Sequence, residues 1–294
     1  MEEKTAQSFK AELVGVFGTP VAENPTGAMQ EAAFRARGLN WRYLTIEVFP
    51  EDLEDAIVGL RAFNMAGINL TIPHKVSVIQ HLDRLTSEAE LIGAVNTVVR
   101  ENGQLVGYNT DGKGFLRSIR EDAGVDLRGK RVVFLGAGGA ARAMSVELAL
   151  ANVAHITVVN RTVSRGQALT QLLEEKTPVH ARLVHWKGEF RVPSKTDILV
   201  NATPVGLYPE TEEMPAVAVD SIRAGMVVCD VVPNPPETAF LRAAASRGAI
   251  CLTGLGMLVY QGAIAFEKWT EVEAPVNVMR RTLREIFDPA VSSE

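Results

Sequence analysis

A chain of 294 residues, 47% hydrophobic and 22% charged, has an ordinary globular composition. It suits two cores, because one core seldom grows past roughly 250 to 300 residues, and its net charge of -5 excludes nucleic acid as the default partner. No stretch approaches the roughly 20 apolar residues of a membrane span, the start Met1-Glu-Glu-Lys-Thr-Ala-Gln7 lacks the basic and apolar regions of a signal peptide, and Cys229 and Cys251 sit in apolar runs without metal-ligand spacing, so a cytoplasmic protein with buried free thiols and no bound metal is expected.

Residues 11–18 predict a strand, 26–38 a helix and 41–48 a second strand. Residues 51–64 predict a helix with Leu53, Ala56, Ile57 and Leu60 on its apolar face, and 66–72 a third strand stopped by Pro73. This βαβαβ start implies parallel strands whose C-terminal ends share one edge, where ligands bind. Three polar clusters fall at such edges. In Asn69-Leu-Thr71-Ile-Pro73-His74-Lys75 the alternation places Asn69 and Thr71 on one strand face, with Lys75 just beyond a proline-stiffened turn. Asn96 stands in Gly93-Ala-Val-Asn96-Thr97, and Asp111 in a glycine-flanked turn, Asn109-Thr-Asp111-Gly112, before a helix.

Residues 131–135 predict an apolar strand that breaks at Gly136-Ala-Gly138-Gly139-Ala140-Ala141 and continues as a helix, the pattern of a dinucleotide-binding turn. Gly136 permits the turn, Gly138 lets the backbone approach a pyrophosphate, and Ala141 lets helix and strand pack closely, with the phosphates on the helix N-terminus. The next strand, 155–160, ends in Asn160-Arg161-Thr162 with Arg165 nearby and carries no acid there. An arginine at that position accommodates a ribose 2′-phosphate, so NADP is expected over NAD; the alternative is a solvated start to the next helix.

Lys75 and Asp111 on two loops supply what ketone reduction without a metal requires, a proton donor near the oxygen and an acid to hold it. A surface ion pair with Asp111 capping the following helix is the other reading of the same residues.

Taken together these motifs resemble the shikimate dehydrogenase family, which includes the quinate/shikimate dehydrogenases. The resemblance rests on Asn69 to Lys75, Gly93 to Thr97, Asn109 to Gly112, Gly136 to Ala141, Asn160 to Thr162, Asn201-Ala-Thr-Pro-Val-Gly206 and Gly254-x-x-Met257-Leu-x-x-Gln261, in the family's order along nearly the whole chain. It implies an α/β protein in which 1–109 and 254–294 form a substrate domain and 110–253 a Rossmann-like NADP domain, with a cleft between them. It also implies NADP-dependent reduction of 3-dehydroshikimate to shikimate, on the chorismate route to aromatic amino acids, by a monomer or homodimer. Lys75 and Asp111 would be the catalytic pair, and Asn24, Thr26, Asn69, Thr71, Asn96 and Gln261 would hold the substrate. Gly136, Gly138, Gly139, Ala140, Ala141, Asn160, Arg161, Thr162, Arg165, Asn201, Thr203, Pro204, Val205, Gly254 and Met257 would border the cofactor.

Two positions depart from the family pattern. Glu23-Asn24-Pro25-Thr26 stands where a pair of serines binds the substrate carboxylate, so Asn24 replaces one hydroxyl, and Pro233 stands where a tyrosine is usual. Both bear on substrate identity more than on reaction type, which leaves quinate or another hydroxylated ring acid open. A methylene-tetrahydrofolate dehydrogenase-like enzyme and a non-catalytic NADP-binding regulator are the readings from other classes.

Overall fold

In a computed structural model that describes residues 9–287, the chain forms two six-stranded sheets with helices packed around them. The leaderless start read at residues 1–7 lies outside the described residues. Among the described residues no helix is long and apolar enough to cross a membrane.

The first sheet begins as expected, with β1 (Glu12–Gly18), α1 (Thr26–Ala36), β2 (Trp41–Glu47), α2 (Leu53–Ala62) and β3 (Gly67–Leu70), and β1 parallel to both β2 and β3. After α3 (His74–Ser77), β4 (Arg84–Leu85) and α4 (Ser87–Ile92) come β5 (Thr97–Glu101) and β6 (Gln104–Tyr108), giving the order β2-β1-β3-β5-β6-β4. The sheet is therefore mixed. Asn102 and Gly103 both take positive φ, the geometry of a two-residue hairpin turn, so β5 runs antiparallel to β3 and β6.

That reversal corrects how the polar clusters share an edge. Asn96 lies just before an antiparallel strand, and the start of β5 sits beside the end of β3. Thr71 is also not in the strand, which ends at Leu70; its N–H donates to the Phe17 carbonyl at 3.0 Å and pins the chain as it leaves the sheet. Asp111 is the first residue of a helix rather than part of the preceding turn.

From α5 (Asp111–Asp122) the chain builds the second sheet through β7 (Arg131–Leu135), α6 (Gly139–Leu150), β8 (His155–Asn160), α7 (Val163–Lys176), β9 (His180–His185), β10 (Ile198–Asn201), β11 (Val227–Asp230), α8 (Ala239–Ser246) and β12 (Ile250–Leu252). All pairings are parallel, in the order β12-β11-β10-β7-β8-β9. Counted from β7 this is 3-2-1-4-5-6, the dinucleotide-binding order, whose direction reverses between β7 and β10. The strands read apolar on both faces because both are covered: Val132, Phe134 and Ile156 pack under α6, while Val133, Leu199 and Val228 pack with Phe240 and Leu241 of α8. Cys229 is buried in this sheet, but Cys251, expected to be buried as well, is only half-buried.

Finally α9 (Gly254–Thr270) and α10 (Val276–Phe287) return to the first sheet, where Val259, Phe266 and Met279 join Val14, Val16 and Phe34 in one core. The seam between the two sheets is α5, which fits because two of its residues lack side chains. A Cβ on Gly112 would lie 2.4 Å from the Ala143 carbonyl oxygen of α6, and one on Gly114 would lie 2.5 Å from the Gln261 nitrogen of α9. Gly114→Ala is thus expected to lose about 1–3 kcal/mol in urea unfolding, since backbone must move to admit the methyl group. Gly59→Ala in α2, whose Cβ meets only a Phe63 ring atom at 3.6 Å, is expected to be neutral or to gain about 0.5–1 kcal/mol.

Candidate active site

Lys75 enters from α3, whose turn is anchored from behind. His74 is fully buried, with Nε2 2.7 Å from the Val48 carbonyl oxygen, and the Lys75 carbonyl accepts from the Val95 N–H at 2.7 Å. The histidine therefore belongs to the core and faces away from its catalytic-looking neighbours. Asp111 enters from α5, where Asn109 Oδ1 accepts from the N–H groups of Asp111 and Gly112 and caps the first turn.

Lys75 Nζ donates to Asp111 Oδ2 at 2.6 Å, and the other carboxylate oxygen accepts from Asn96 Nδ2 at 2.9 Å. The lysine side chain is 34% exposed and the aspartate 17%, so the pair sits at the wall of a cleft and is not a solvated surface bridge. Asn96 is held in turn: its Oδ1 accepts from the Thr110 N–H at 2.6 Å, and its Nδ2 donates also to Thr110 Oγ1 at 2.9 Å. A second ion cluster braces the same helix. Lys113 Nζ lies 2.8 Å from Glu88 of α4 and 3.3 Å from Glu147 of α6. The Lys113 ammonium draws the Glu88 carboxyl down to about 2, while burial pushes Glu147 up.

Lys75, Asp111, Asn24, Thr26, Asn69, Thr71, Asn96 and Gln261 all line one cleft of about 170 Å³. The rest of its lining is Val16, Leu70, Val231, Pro233, Gly254, Met257 and Leu258, so a small ring or chain would meet apolar surface as well as polar atoms. The polar atoms are not equally free. Asn69 donates from Nδ2 to the Asn96 carbonyl and Thr97 Oγ1, and its Oδ1 accepts from Tyr43 Oη at 2.8 Å. Gln261 Nε2 donates to the Leu258 carbonyl at 3.0 Å. Asn24 Oδ1 accepts from the Thr26 N–H at 3.0 Å, and its Nδ2 has no hydrogen-bond partner among the described residues. Among the described residues Lys75 is the single cation and Asp111 the single acid in the lining.

The glycine turn has the features that a pyrophosphate requires. Gly136 holds φ +105°, and a Cβ there would lie 3.0 Å from the Ala202 carbonyl oxygen across the β7/β10 switch point. Gly138 and Gly139 face open space, and α6 begins without a side-chain cap on its N–H groups. Ala141 is fully buried beneath the helix, and Ala140 is half-buried beside it. At the end of β8, Asn160 Nδ2 donates to the Thr162 carbonyl, and Arg161, Thr162 and Arg165 are exposed. Arg161 lines a second cavity of about 290 Å³ with Thr203, Val205, Trp186 and Met214. Arg165 is not in that lining. A cationic side chain past the end of β8, with open glycines past the end of its neighbour β7, fits a 2′-phosphorylated dinucleotide.

Asn201 has a different place from its neighbours. It is fully buried, donating to Asp230 Oδ1 at 3.0 Å and accepting from the Thr203 N–H and hydroxyl, so it shapes the Asn201–Gly206 loop from within. Asp230 also takes Thr238 Oγ1 at 2.7 Å, and burial raises its pKa. Tyr43, Trp186 and Met214 carry no signal in the sequence, each being one polar or large apolar residue in an otherwise regular strand or loop, whereas Thr97 and Thr110 lie within the polar motifs but carry no assigned role there. Tyr43→Phe, which leaves Asn69 Oδ1 without its donor, is expected to lower stability by about 1 kcal/mol in urea unfolding.

Comparison with known proteins covers the chain in three pieces. Residues 16–98 match the shikimate dehydrogenase substrate binding domain, 118–235 the shikimate / quinate 5-dehydrogenase model, and 254–284 the shikimate 5'-dehydrogenase C-terminal domain. The shikimate dehydrogenase (NADP(+)) of Methanopyrus kandleri is 48% identical over 287 residues, 97% of this chain and 99% of that protein. The ligand-free 5-ketofructose reductase of Gluconobacter sp. strain CHM43 superposes with a TM-score of 0.92 at 47% identity, over 95% of this chain and 100% of that one. The shikimate 5-dehydrogenase of Thermus thermophilus, solved with NADP(H) and shikimate, gives 0.81 at 35% identity, over 93% and 99%.

Proposed function

The chain belongs to the shikimate/quinate dehydrogenase family, and we propose that it catalyses the reversible NADP-dependent reduction of 3-dehydroshikimate to shikimate, a step toward the aromatic amino acids. The observation that carries this reading is the Lys75–Asp111 pair, 2.6 Å apart at the wall of a small half-apolar cleft. NADPH, when bound, supplies the hydride. Lys75 Nζ keeps N–H donors beyond the one given to Asp111, and directs them at the substrate oxygen, polarising the carbonyl and placing a proton on it as carbon is reduced. Asp111 holds that ammonium, and Asn96 fixes the second carboxylate oxygen so that the pair cannot rotate out of line. Thr26 and Thr71 hydroxyls and the unpaired Asn24 Nδ2, which line the same cleft, bind the rest of the substrate. Arg161 takes the 2′-phosphate, with Thr162 and Arg165 beside it, and Gly138, Gly139 and Ala140 carry the pyrophosphate. Gly254 and Met257 close the nicotinamide end with Thr203, Pro204 and Val205. The protein is cytoplasmic in this reading, a monomer or homodimer, with Cys229 and Cys251 as free thiols.

A second reading has its own support. A carboxylate in this cleft would be recognised by neutral donors alone, because Lys75 is committed to the reacting oxygen and no other cation among the described residues lines the site. Asn24 and Pro233 stand on that side, and the relative at TM-score 0.92 is named as a reductase of an uncharged keto sugar. Reduction of a neutral polyhydroxy ketone is therefore the alternative.

Initial rates with NADP and NAD against shikimate and quinate, and with NADPH against 5-ketofructose, decide between them. NADP-dependent turnover of shikimate is expected; turnover of 5-ketofructose without shikimate would transfer the assignment to the keto sugar, and turnover of neither would sink both. Lys75→Ala is expected to lower kcat about 10²- to 10⁴-fold with NADPH binding, read by nucleotide fluorescence, unchanged. Arg161→Ser should reduce the preference for NADP over NAD by about tenfold, close to 1.4 kcal/mol, in steady-state kcat/KM.

A further inference from the structure

The connection from β9 to β10 contains no helix, and this leaves part of the second sheet bare. In a doubly covered parallel sheet both strand faces are expected to be apolar. On the α8 side, the first row across β7, β8 and β9 is instead Arg131, His155 and His180, paired in register. The second row is Val133, Thr157 and Arg182. With Pro193, Lys195 and Thr196 from the connection, these residues line a cleft of about 270 Å³ at the N-terminal edge of the sheet, opposite the edge that carries Gly136.

The side chains converge with no carboxylate among the described residues of the lining. The His155 and His180 rings stack at 5.4 Å, and Arg182 Nε donates to Thr157 Oγ1 at 3.1 Å, which fixes its guanidinium over the sheet. Among the described residues Arg131, Arg182 and Lys195 form no ion pair. Asp197 stands beside the cleft, where its carboxylate accepts from the Arg131 backbone N–H at 2.8 Å and lies 3.9 Å from Arg223. A chain of net charge -5 thus gathers three permanent cations and two imidazoles in one concavity. Like charges held this close repel unless an anion joins them.

We propose that this cleft binds a small oxyanion carrying two or more negative charges, of the phosphate or polycarboxylate class, between Arg131, His155, His180, Arg182 and Lys195. The site is separate from the catalytic cleft and does not rest on the substrate assigned there. Burial, and then the charges of Arg131, His180 and Arg182, hold the His155 pKa below the usual histidine range in the free protein. An anion reverses the sign of that local potential, so binding takes up protons and strengthens as the pH falls through the histidine range. Asp197 is the carboxylate beside these groups, and its contacts are the Arg131 backbone and Arg223.

The probe is inorganic pyrophosphate titrated calorimetrically into the full chain at physiological ionic strength, with NADP present to occupy the glycine turn, and with citrate as the carboxylate counterpart. One site is expected, tighter by about tenfold near pH 6 than near pH 8. Arg131→Gln with Arg182→Gln is expected to weaken it by at least about tenfold, with kcat unchanged. His180→Gln, a single change at an exposed position, should weaken it in the same direction if the double variant does not fold. No heat at millimolar pyrophosphate or citrate, heat reproduced by potassium chloride of equal ionic strength, or affinity unchanged in the variants would each overturn the proposal. A preference for pyrophosphate over citrate, or the reverse, names the ligand chemistry within it.

Discussion

The position of one helix governs the catalytic geometry. α5 lies close enough to α6 and α9 that its residues 112 and 114 have no room for a side chain, with Cβ positions 2.4 Å and 2.5 Å from backbone atoms of Ala143 and Gln261. Asp111 is the first residue of that helix, so a carboxylate otherwise free to rotate at a helix end is set by backbone packing on two sides. Lys113, between Glu88 and Glu147, resists the remaining rotation about the helix axis. The 2.6 Å contact with Lys75 is the outcome of this packing more than its cause. An ion pair at this degree of exposure contributes too little stability to hold two helices by itself.

The division of labour in the cleft follows from who is already satisfied. Asn69, Asn96 and Gln261 look like substrate ligands by type, yet each spends its amide on other protein atoms. Asn69 and Asn96 are fully partnered and hold their orientation more firmly than amides that wait for a ligand, while Gln261 keeps one Nε2 hydrogen to spare. The other groups left over are Asn24 Nδ2, the hydroxyls of Thr26 and Thr71, and the spare hydrogens of Lys75. Neutral donors discriminate by the placement of hydroxyls and carbonyls, where a cation would discriminate by charge. The choice between a ring acid and an uncharged sugar therefore falls on very few atoms.

Much of this is legible in the sequence, and the limits have physical reasons. The βαβαβ start, the glycine turn and the strand ending in Asn160 show through because period and glycine placement are local signals. The hairpin at Asn102-Gly103 is equally local, but it lies between two polar motifs that read as sheet-edge loops, and the antiparallel direction of β5 is hidden with it. Alternation alone carries Thr71 into a strand, although the strand stops at Leu70: the Thr71 N–H still reaches the Phe17 carbonyl, and the next position on that side is Pro73, which has no N–H to give. Asn201 carries the family motif yet never reaches a surface, because a motif marks a required residue without saying whether its partner is a ligand or its own loop. The row Arg131, His155 and His180 cannot be seen in the sequence at all, since its members lie 24 and 25 residues apart and meet only through sheet register.

The return of α9 and α10 to the first sheet has a consequence for how the chain is made. Val14, Val16 and Phe34 leave the ribosome more than 200 residues ahead of Val259, Phe266 and Met279, which share their core. At about 5–20 residues per second, that hydrophobic face waits on the order of ten seconds or more for its lid, with the whole second sheet synthesised in the interval. The first sheet therefore cannot complete its core until α9 and α10 have been made, so its closure follows the synthesis of the second sheet rather than preceding it.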